Sequence, residues 1–483
     1  MMMGKSIWNG LDEVFRPFFE KNQVSLLIRG LPGAGKTTLA LELMNIVKYR
    51  YNCIYVSTRV SYSKLKEQLP WVESILDESS VFYIADRAAR DGNGDARSKN
   101  SMLDLRLSTA DNLLNILMDI LINKRKAFIV LDSWDSLAKE IPLEERMKME
   151  KTMLAIADAN DGVLVFISEE PERNTLAYLV DCVVTLNVEE SDGVWLRKIH
   201  IDKMRGVPIK RNKMVYTLHN GRFVLTSSDT NVSYVSELFQ PVSSKQGYVS
   251  TGNEHLDEVL GGIKTGSVVM IEVDGNANMN YARMLTSNII LNNIRSNREA
   301  IVACGKDEPV IKVLNKIVPY CLSYDLNRLV VLASPAMDAE QEFNRLHELT
   351  TYDKSYVPED MVIHTSNDPT ENTALFIDSY IKLKDYSKSM VIAGNLIWDE
   401  FDEVKNRLLY TAKIARNNDD VLVLTVSSCG SIAENASILA DVHLKLWECN
   451  DTQILTIKKP FKSVYAMNLV GNGYPSYTLL PLL

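Results

Sequence analysis

The sequence predicts an α/β protein made of two tandem copies of one domain. Each copy should form a mostly parallel sheet flanked by helices, with an antiparallel hairpin at its C-terminal end. Three observations support this prediction. Short apolar strand-like runs alternate with helical patterns, a glycine-rich loop joins the first such strand to a long helix, and the whole pattern restarts near residue 247. Hydrophobic residues make up 46% of the 483 residues, which is enough for globular cores.

Charge and cysteine content argue against several classes of protein. The formal net charge is −9, so no overall basic field favours nucleic acid or an anionic membrane surface, although a local basic patch is not excluded. The six cysteines form no C-x-x-C pair, which argues against a zinc site and fits a reducing compartment.

No signal-peptide core and no apolar run of bilayer length occur in the sequence. We therefore expect a cytoplasmic protein without a membrane segment.

The glycine-rich loop is a phosphate-binding motif. Residues 30–38 read GLPGAGKTT, which fits G-x-x-x-x-G-K-[ST]. Residues 25–29 before the loop predict a buried strand, and residues 38–49 after it are apolar at helical spacing. The glycines permit backbone angles that a side chain would forbid, so the loop's N–H groups can converge on phosphate oxygens at a helix N-terminus. A glycine turn without a ligand is the alternative, and the strand–helix context argues against it.

The motif assigns roles to its residues. Lys36 should supply a positive charge to the β and γ phosphates, and the Thr37 hydroxyl should ligate magnesium. The expected nucleotide-binding residues are Gly30, Leu31, Pro32, Gly33, Ala34, Gly35, Lys36, Thr37, Thr38 and, from a later strand, Asp132.

That later strand is expected to deliver the second magnesium ligand. Residues 126–137 read KAFIVLDSWDSL, an apolar run that ends at Asp132. In phosphate-loop proteins a buried strand brings a carboxylate to the hydration shell of the metal. The competing interpretation is that this aspartate caps the next helix, a role for which Asp135 is the rival candidate.

The rest of the first half continues in strand and helix order. We expect an amphipathic helix at 11–21, a strand from residue 53, a helix broken at Pro70, a strand at 81–86, a helix at 109–123 and a strand at 162–170. Ser168, near the end of that last strand, is a candidate sensor of the γ phosphate. A hairpin should follow, turning across 189–193 and ending at Gly206. The charged stretch 86–100 is interpreted as a solvated loop, the alternative being a loop that grips phosphate or polynucleotide.

The second half repeats the first. LDEVL at residue 256 repeats LDEVF at residue 11, and SVVMIE at 267 corresponds to SLLIR at 25. The predicted organisation is therefore a domain at 1–226 with an intact phosphate loop, a linker at 227–246 and a degenerate domain at 247–483.

The second copy has lost the residues that handle phosphate and metal. An ungapped register aligns Met279 with Lys36 and Asn280 with Thr37. The further expected correspondences are Asn276 with Gly33, Asn278 with Gly35, Gly394 with Asp132 and Pro460 with Arg205. Because no residue there would balance the charge of a triphosphate, we expect a non-catalytic domain that does not bind ATP tightly.

Several stretches resemble KaiC-type members of the RecA superfamily. They are STGNEHLDEVLGG with GSVVMIE, the hairpin run from Tyr178 to Gly206, and GLPGAGKTT with IVLDS. The run YVSTRVS from Tyr55 resembles the GvpD branch, which is named from gas-vesicle regulation. The KaiC-type resemblance covers nearly the whole chain, and the GvpD resemblance rests chiefly on the first domain. The KaiC-type resemblance implies two RecA-like cores, ATP and magnesium at Lys36, Thr37 and Asp132, and frequent assembly into rings.

The resemblance also suggests residues that act in a neighbouring subunit. In KaiC-type domains the stretch K-M-R-G of one domain can reach a neighbour's nucleotide, and Lys203 and Arg205 match that stretch. An arginine delivered across an interface stabilises charge on a transferring phosphoryl group. The alternative is that both are solvated charges of an edge strand.

One departure from the family concerns the general base. KaiC-type domains usually carry two acidic residues after the second strand, where this chain has Thr58 and Arg59. Arginine accepts no proton at neutral pH, but Arg59 could hold the γ phosphate. Because a general base contributes ~10²–10⁴-fold, hydrolysis should be slow unless another carboxylate substitutes. The candidates are Glu169, Glu170 and Asp135, and the expected catalytic set is Lys36, Arg59 and Glu170.

These features favour an ATP-binding regulatory protein of the KaiC/GvpD type. It would bind Mg-ATP in the first domain, hydrolyse it slowly and change its contacts with a protein partner, with a homo-oligomer such as a ring or dimer allowed. The alternative is a DNA-dependent ATPase of the recombinase or helicase type, which needs a basic channel with stacking aromatics that the sequence does not clearly offer. Autophosphorylation would lack an ATP donor in the second domain, and a purely structural scaffold suits that domain alone.

Overall fold

The computed structural model describes most of the chain. The described residues are 9–21, 23–83, 110–124, 126–139, 141–170, 175–226, 237–305, 308–333, 361–365, 369–385, 388–396, 401–429, 431–471 and 474–482. The charged stretch 86–100 and the first ten residues of the expected linker lie outside this part. The chain divides into two compact units, which are residues 1–227 with 482–483, called the first unit, and residues 228–481, called the second unit.

Among the described residues, the first unit contains a nine-stranded sheet. Its strands are β1 Ser25–Gly30, β2 Asn52–Ser57, β3 Val81–Tyr83, β4 Ala127–Asp132, β5 Val163–Ser168, β6 Cys182–Ser191, β7 Val194–Met204, β8 Lys213–Thr217 and β9 Val224–Leu225. The order across the sheet is β3-β2-β4-β5-β1-β6-β7-β8-β9. Neighbours are parallel from β3 to β6 and antiparallel from β6 to β9. The expected hairpin is therefore present as β6 and β7.

Helices cover both faces of this sheet. They are α1 Asn9–Glu20, α2 Lys36–Val47, α3 Tyr62–Gln68, α4 Ala110–Asn123, α5 Trp134–Ala138, α6 Leu143–Ala159 and α7 Leu176–Leu179, with short 3₁₀ turns at Pro70–Ser74, Glu78–Ser80 and His219–Gly221. Successive residues of β1 face opposite sides, so Leu26 and Ile28 pack in one core with Phe15, whereas Leu27 packs in the other with Trp134. Burial on both faces explains why these strands read as continuous apolar runs.

The second unit repeats this plan in a ten-stranded sheet. Its strands are β12 Val268–Val273, β13 Ala300–Ala303, β14 Leu329–Ala333, β15 Val362–His364, β16 Val391–Asn395, β17 Val421–Ser427, β18 Val442–Cys449, β19 Thr452–Lys459, β20 Ser463–Gly471 and β21 Pro475–Pro481, and a separate pair is formed by β10 Tyr248–Val249 and β11 Ile263–Lys264. The order is β15-β14-β13-β16-β17-β12-β18-β19-β20-β21. The sheet is parallel from β15 to β18 and antiparallel beyond β18.

The helices of the second unit follow the same plan. They are α8 Glu254–Leu260, α9 Met279–Arg295, α10 Val310–Leu314, α11 Ser323–Leu326, α12 Pro369–Leu383, α13 Phe401–Asn417 and α14 Ser431–Leu439, with a 3₁₀ turn at Val318–Tyr320. Two large, mostly parallel sheets flanked by helices, each extended by an antiparallel hairpin, confirm the predicted fold class.

Strand register corrects one of the expected correspondences between the units. The register that aligns Lys36 with Met279 also aligns Ser25 with Val268. Leu164 lies opposite Ser25 and Leu422 lies opposite Val268, so these two residues correspond, and three residues further on Ile167 corresponds to Thr425. Asp132 lies opposite Ile167, and Asn395 lies opposite Thr425. Asn395, not Gly394, therefore takes the place of Asp132. The prediction was wrong by one residue because an apolar run can be slid along another without any visible mismatch in sequence.

Candidate nucleotide-binding site

The phosphate loop connects the carboxyl end of β1 to the first turn of α2. Gly33 and Gly35 have φ values of 79° and 87°, a region that side-chain-bearing residues rarely adopt. A Cβ on Gly35 would come within 2.8 Å of the Leu218 side chain, and one on Gly30 would collide with the backbone of Leu186. Glycine is thus required at these positions by backbone angle and by close packing.

Lys36 lies inside the loop. Its ammonium group donates hydrogen bonds to the carbonyl oxygens of Gly30 at 2.8 Å and Leu31 at 3.0 Å, and only 7% of the residue is exposed. Burial lowers the pKa of Lys36, while the carboxylates of Glu169 and Asp132 act in the opposite direction. A buried cation with only carbonyl partners among the described residues is suited to an added phosphate group.

Asp132 lies at the end of β4 and accepts two hydrogen bonds from hydroxyl groups. Thr37 Oγ1 donates to Asp132 Oδ2 at 2.6 Å, and the Tyr55 hydroxyl donates to the same oxygen at 2.5 Å. The structure therefore places the expected metal ligands Thr37 and Asp132 in contact. An oxygen donor set of one carboxylate and one hydroxyl is the kind that Mg²⁺ prefers.

Tyr55 was not among the expected site residues. It is fully buried, and burial followed by the neighbouring charge of Asp132 raises its pKa well above the ordinary value. Its hydroxyl therefore remains a hydrogen-bond donor. The signal available in the sequence was the period-two pattern, because β2 lies beside β4 with Tyr55 opposite Val130, two residues before Asp132.

Arg59 and Glu169 form an ion pair beside the loop. Two guanidinium nitrogens approach the two carboxylate oxygens at 2.6 and 2.8 Å. The hydrogen bond from Arg59 lowers the pKa of Glu169; burial acts in the opposite direction but is outweighed. Arg59 is thus paired with a carboxylate, and that carboxylate is one of the three candidate bases.

The other two candidate bases differ in their surroundings. Asp135 accepts hydrogen bonds from the Ser168 hydroxyl at 3.2 Å and from the backbone N–H of Glu169 at 2.6 Å. Asp135 therefore fixes the end of β5, and its contact with Ser168 already engages the hydroxyl of the candidate phosphate sensor. Glu170 is exposed, and its carboxylate has no hydrogen bond or ion pair to the residues that the structure describes.

Strands β7 and β8 support the loop from its other side. An Arg197 guanidinium nitrogen donates to the Gly33 carbonyl at 2.8 Å, and the Tyr216 hydroxyl donates to the Ala34 carbonyl. The Tyr216 ring stacks on Phe223 with centroids 4.2 Å apart. These contacts, together with Leu218, were missed because they join residues separated by more than 160 positions with no local motif to mark them.

Lys203 and Arg205 make contacts within their own chain. The Lys203 ammonium group donates to the carbonyls of Val180, Ala177 and Tyr178 at 2.5–3.3 Å. Arg205 donates to Asp181 at 3.2 Å and to the Tyr178 carbonyl at 3.3 Å. A role in a neighbouring subunit would require these contacts to be released, and it stays a prediction.

The second unit repeats the Lys203 contacts. Lys203 lies opposite Val183, and Lys459 lies opposite the equivalent His443. Lys459 donates to the carbonyls of Ser437 at 2.6 Å and Ala440 at 3.1 Å. The counterpart of Arg205 is therefore Phe461, and the expected correspondence with Pro460 was wrong by one residue. A contact retained in both copies indicates that this lysine caps carbonyls at the end of a short helix.

The loop of the second unit makes its own internal contacts. Asn278 caps α9 by accepting a hydrogen bond from the Asn280 N–H at 3.0 Å. The Asn276 amide donates to the Glu448 carbonyl at 3.0 Å. Met279 begins α9 where Lys36 begins α2, so the described loop has no cation corresponding to Lys36.

Comparisons with known proteins agree with this geometry. Residues 5–229 match the family model of the KaiC ATPase. The chain is 24% identical to Protein GvpD2 of Halobacterium salinarum over 492 aligned residues, covering 97% of this chain and 95% of that protein. It is 28% identical to Protein GvpD1 of the same organism over 279 residues, covering 56% of this chain and 51% of that protein. These findings confirm the resemblance to KaiC-type ATPases and to GvpD, and they extend the GvpD similarity beyond the first domain. No helix in the described part of the chain is long and apolar enough to cross a membrane.

Proposed function

We propose that this chain, similar to GvpD proteins along its length and to KaiC-type ATPases in its first unit, is an ATP-binding regulatory protein. Its first unit binds Mg-ATP and hydrolyses it slowly, and the nucleotide state changes contacts with a protein partner, which can be another copy of the chain. The observation that supports the proposal is that Lys36 lies buried in the glycine-rich loop, Thr37 and Asp132 are in contact, and the nearby carboxylate of Glu169 is paired with Arg59.

Three contacts support nucleotide binding at this loop. The phosphate loop presents its N–H groups at the start of α2, and Lys36 is held among carbonyl oxygens that phosphate oxygens can replace. Thr37 and Asp132 lie within 2.6 Å of each other, so both can face one metal ion or its water. When bound, Mg-ATP supplies a phosphoryl group that water can attack.

The groups for rapid hydrolysis are weaker. A general base contributes ~10²–10⁴-fold, and an effective base has a pKa near the working pH. Glu169 has the opposite property, because its pKa lies below the ordinary carboxyl value. Asp135 already accepts hydrogen bonds from Ser168 and from the Glu169 N–H. Glu170 is an exposed side chain and is not held in position to activate water. We therefore expect binding to dominate over turnover.

The first experiment measures ATP affinity and single-turnover hydrolysis with magnesium. The native chain, Lys36→Ala and the control Lys64→Ala, which changes an exposed lysine of α3, would be compared. We expect tight binding, turnover far below the ~1–10³ s⁻¹ common among enzymes, and at least ~10-fold weaker binding, about 1.4 kcal/mol, in Lys36→Ala only.

Three results would contradict the proposal. Turnover of several per second would show that a carboxylate acts as an efficient base, and Glu170→Gln and Glu169→Gln would be the next variants. Strong stimulation of hydrolysis by single-stranded DNA would instead support the DNA-dependent ATPase. Equal ATP affinity in the native chain and Lys36→Ala would remove the phosphate loop from the site altogether.

A further inference from the structure

The second unit contains a cavity beside the helix that replaces α2. The cavity has a volume of about 50 Å³ and lies between the first half of α9 and the carboxyl ends of β13, β16 and β17. Open α/β sheets bind ligands at the carboxyl ends of their strands. Since one water needs ~10–15 Å³, the space holds about three to five waters or one compact anion, and it is too small for a nucleotide.

Comparison with the first unit shows how the cavity arises. The registers of β2 with β4 and of β13 with β16 place Val302 where the first unit has Tyr55. Replacing a buried tyrosine ring by valine leaves space next to α9. Counting from the first residues of α2 and α9, Arg283 stands at the position of Ala40 and Thr286 at that of Leu43. The second copy has therefore gained both space and polar groups at positions that are apolar in the first.

The cavity carries more positive than negative charge. Arg283 Nε donates to Glu308 Oε1 at 3.1 Å, and the Asn395 amide donates to Glu308 Oε2 at 2.7 Å. The Glu308 side chain is only 6% exposed, so this carboxylate is already engaged at both oxygens. Lys316 is a second cation in the lining, and it is half-buried.

The ammonium group of Lys316 is the strongest indication of a bound anion. The backbone N–H of Lys316 donates to the Val313 carbonyl at 3.0 Å, but the ammonium group has no hydrogen bond and no ion pair to the described residues. Burial lowers its pKa, and the charge of Arg283 lowers it further. A half-buried ammonium group close to another cation is costly unless an anion compensates it.

We propose that this cavity binds a compact oxyanion, of the size of phosphate, sulfate or acetate, between Lys316 and Arg283. The apolar part of the lining excludes water around the anion, and the two cations fix it, an arrangement typical of small-molecule sites. The second unit, although it has lost the nucleotide motif, would thus retain a ligand site of its own at a neighbouring place on the sheet edge.

The test uses the full chain carrying Lys36→Ala, so that the phosphate loop of the first unit does not contribute. Isothermal titration calorimetry with inorganic phosphate, sulfate and acetate, at constant ionic strength and with chloride as reference, would measure binding. Only heat that saturates with anion concentration counts as binding to a site. Phosphate and sulfate also stabilise folded proteins in general, because they are excluded from the protein surface. Phosphate and sulfate binding without acetate would indicate a tetrahedral oxyanion, and the reverse a carboxylate.

Three further variants locate the site. Lys316→Met should weaken binding at least tenfold, and Val302→Tyr, which restores the ring of the first unit, should abolish it. Lys312→Met, which changes an exposed lysine of α10, should leave it unchanged. No saturable heat with any of the three anions, or equal affinity in Lys316→Met and Lys312→Met, would overturn the proposal. If Val302→Tyr misfolds, Lys316→Met still tests the proposal, because it leaves the space of the cavity intact.

Discussion

Asp132 accepts hydrogen bonds from two hydroxyl groups, and we expect these two groups to respond differently to a bound metal ion. Thr37 and Tyr55 both donate to the same carboxylate oxygen, at 2.6 and 2.5 Å. The Thr37 hydroxyl is the one expected to ligate magnesium, so its hydrogen bond to Asp132 can be exchanged for the ion. Tyr55 is fully buried, so we expect it to keep its hydrogen bond and to orient the carboxylate with and without the metal ion.

We expect Tyr55→Phe to weaken the magnesium-dependent part of ATP binding. The variant keeps the ring and removes only the hydroxyl, which costs Asp132 one of its two donors; a hydrogen bond to a charged group contributes about 1.5–3 kcal/mol. ATP affinity would be titrated against magnesium concentration, with Tyr51→Phe as the control, because Tyr51 is buried near the other end of β2. Unchanged magnesium dependence in Tyr55→Phe would show that this hydroxyl has no positioning role.

Arg59→Ala should increase the rate of ATP hydrolysis. Loss of the guanidinium removes the hydrogen bond that lowers the pKa of Glu169, so this pKa rises and the carboxylate becomes a stronger base. Single-turnover rates should increase ~10-fold or more, and the acid limb of the pH–rate profile should move to higher pH, because a base with a raised pKa is deprotonated only at higher pH. Arg59→Ala combined with Glu169→Gln should return to the native rate or below, whereas combination with Glu170→Gln should not. A slower Arg59→Ala single variant would indicate instead that Arg59 holds the γ phosphate.

Sequence predicted the residues of the candidate site that a local pattern marks. Lys36 and Thr37 belong to one motif, and Asp132 follows an apolar run at the expected place downstream. Tyr55, Arg197 and Tyr216 could not be predicted in the same way. Tyr55 reaches the site through strand register, and the other two lie on β7 and β8, which fold back onto the loop. Neither arrangement has a local signature in the sequence.

At the scale of strands and helices, the two units contain the same ion pair with reversed charges. In the first unit, Arg29 on β1 pairs with Asp202 on β7 at 3.2 Å. At the equivalent positions of the second unit, Glu272 on β12 pairs with Lys458 on β19 at 2.7 Å, and His443 adds a contact of 2.7 Å to the same oxygen of Glu272. The pair thus links the first strand to the hairpin in both copies, independently of which strand carries the positive charge.

Protonation of Glu272 should make the second unit less stable in acid. Burial by itself raises the pKa of this carboxyl, but hydrogen bonds from His443, Lys458 and Ser428 outweigh it and lower the pKa from 4.5 to about 2. A lowered pKa contributes stability above the unfolded value, and this contribution is lost as pH falls from about 4.5 to about 2. The difference corresponds to about 3 kcal/mol as an order of magnitude.

Urea unfolding of the full chain at pH 7, 4 and 3 checks this expectation. Glu272→Gln should lower the free energy of unfolding by up to about 3 kcal/mol at pH 7 and by less at pH 3. Glu254→Gln, which changes an exposed carboxylate of the same unit, should have little effect at any pH. A loss in Glu272→Gln that is equal at all three pH values would mean that packing, rather than charge, accounts for the contribution of this residue.

For the whole molecule, the duplication was the feature that sequence could establish best. Two sets of strand and helix patterns in the same order define two α/β sheets, because periodicity and order survive many substitutions. Exact correspondence between the copies did not follow, and both Asn395 and Phe461 differ by one position from the residues expected there. Pairing across a sheet, which depends on hydrogen-bond register, was needed to align them.

The two units should therefore respond differently to nucleotide. A non-hydrolysable ATP analogue with magnesium, added to the full chain, should slow amide hydrogen exchange in the phosphate loop at residues 30–38 and around Tyr55 and Asp132. Ligand at 100 times its Kd stabilises the form that binds it by about 2.7 kcal/mol. Residues 273–281, the equivalent loop of the second unit, should not change, because Asn276 and Asn278 are engaged in its internal contacts and Met279 replaces the lysine. Lys36→Ala should remove the protection in the first unit and leave the second as it was. Protection of residues 273–281 by the analogue in both proteins would show that the second unit binds nucleotide without the motif, and the assignment of a nucleotide site to the first unit alone would then be wrong.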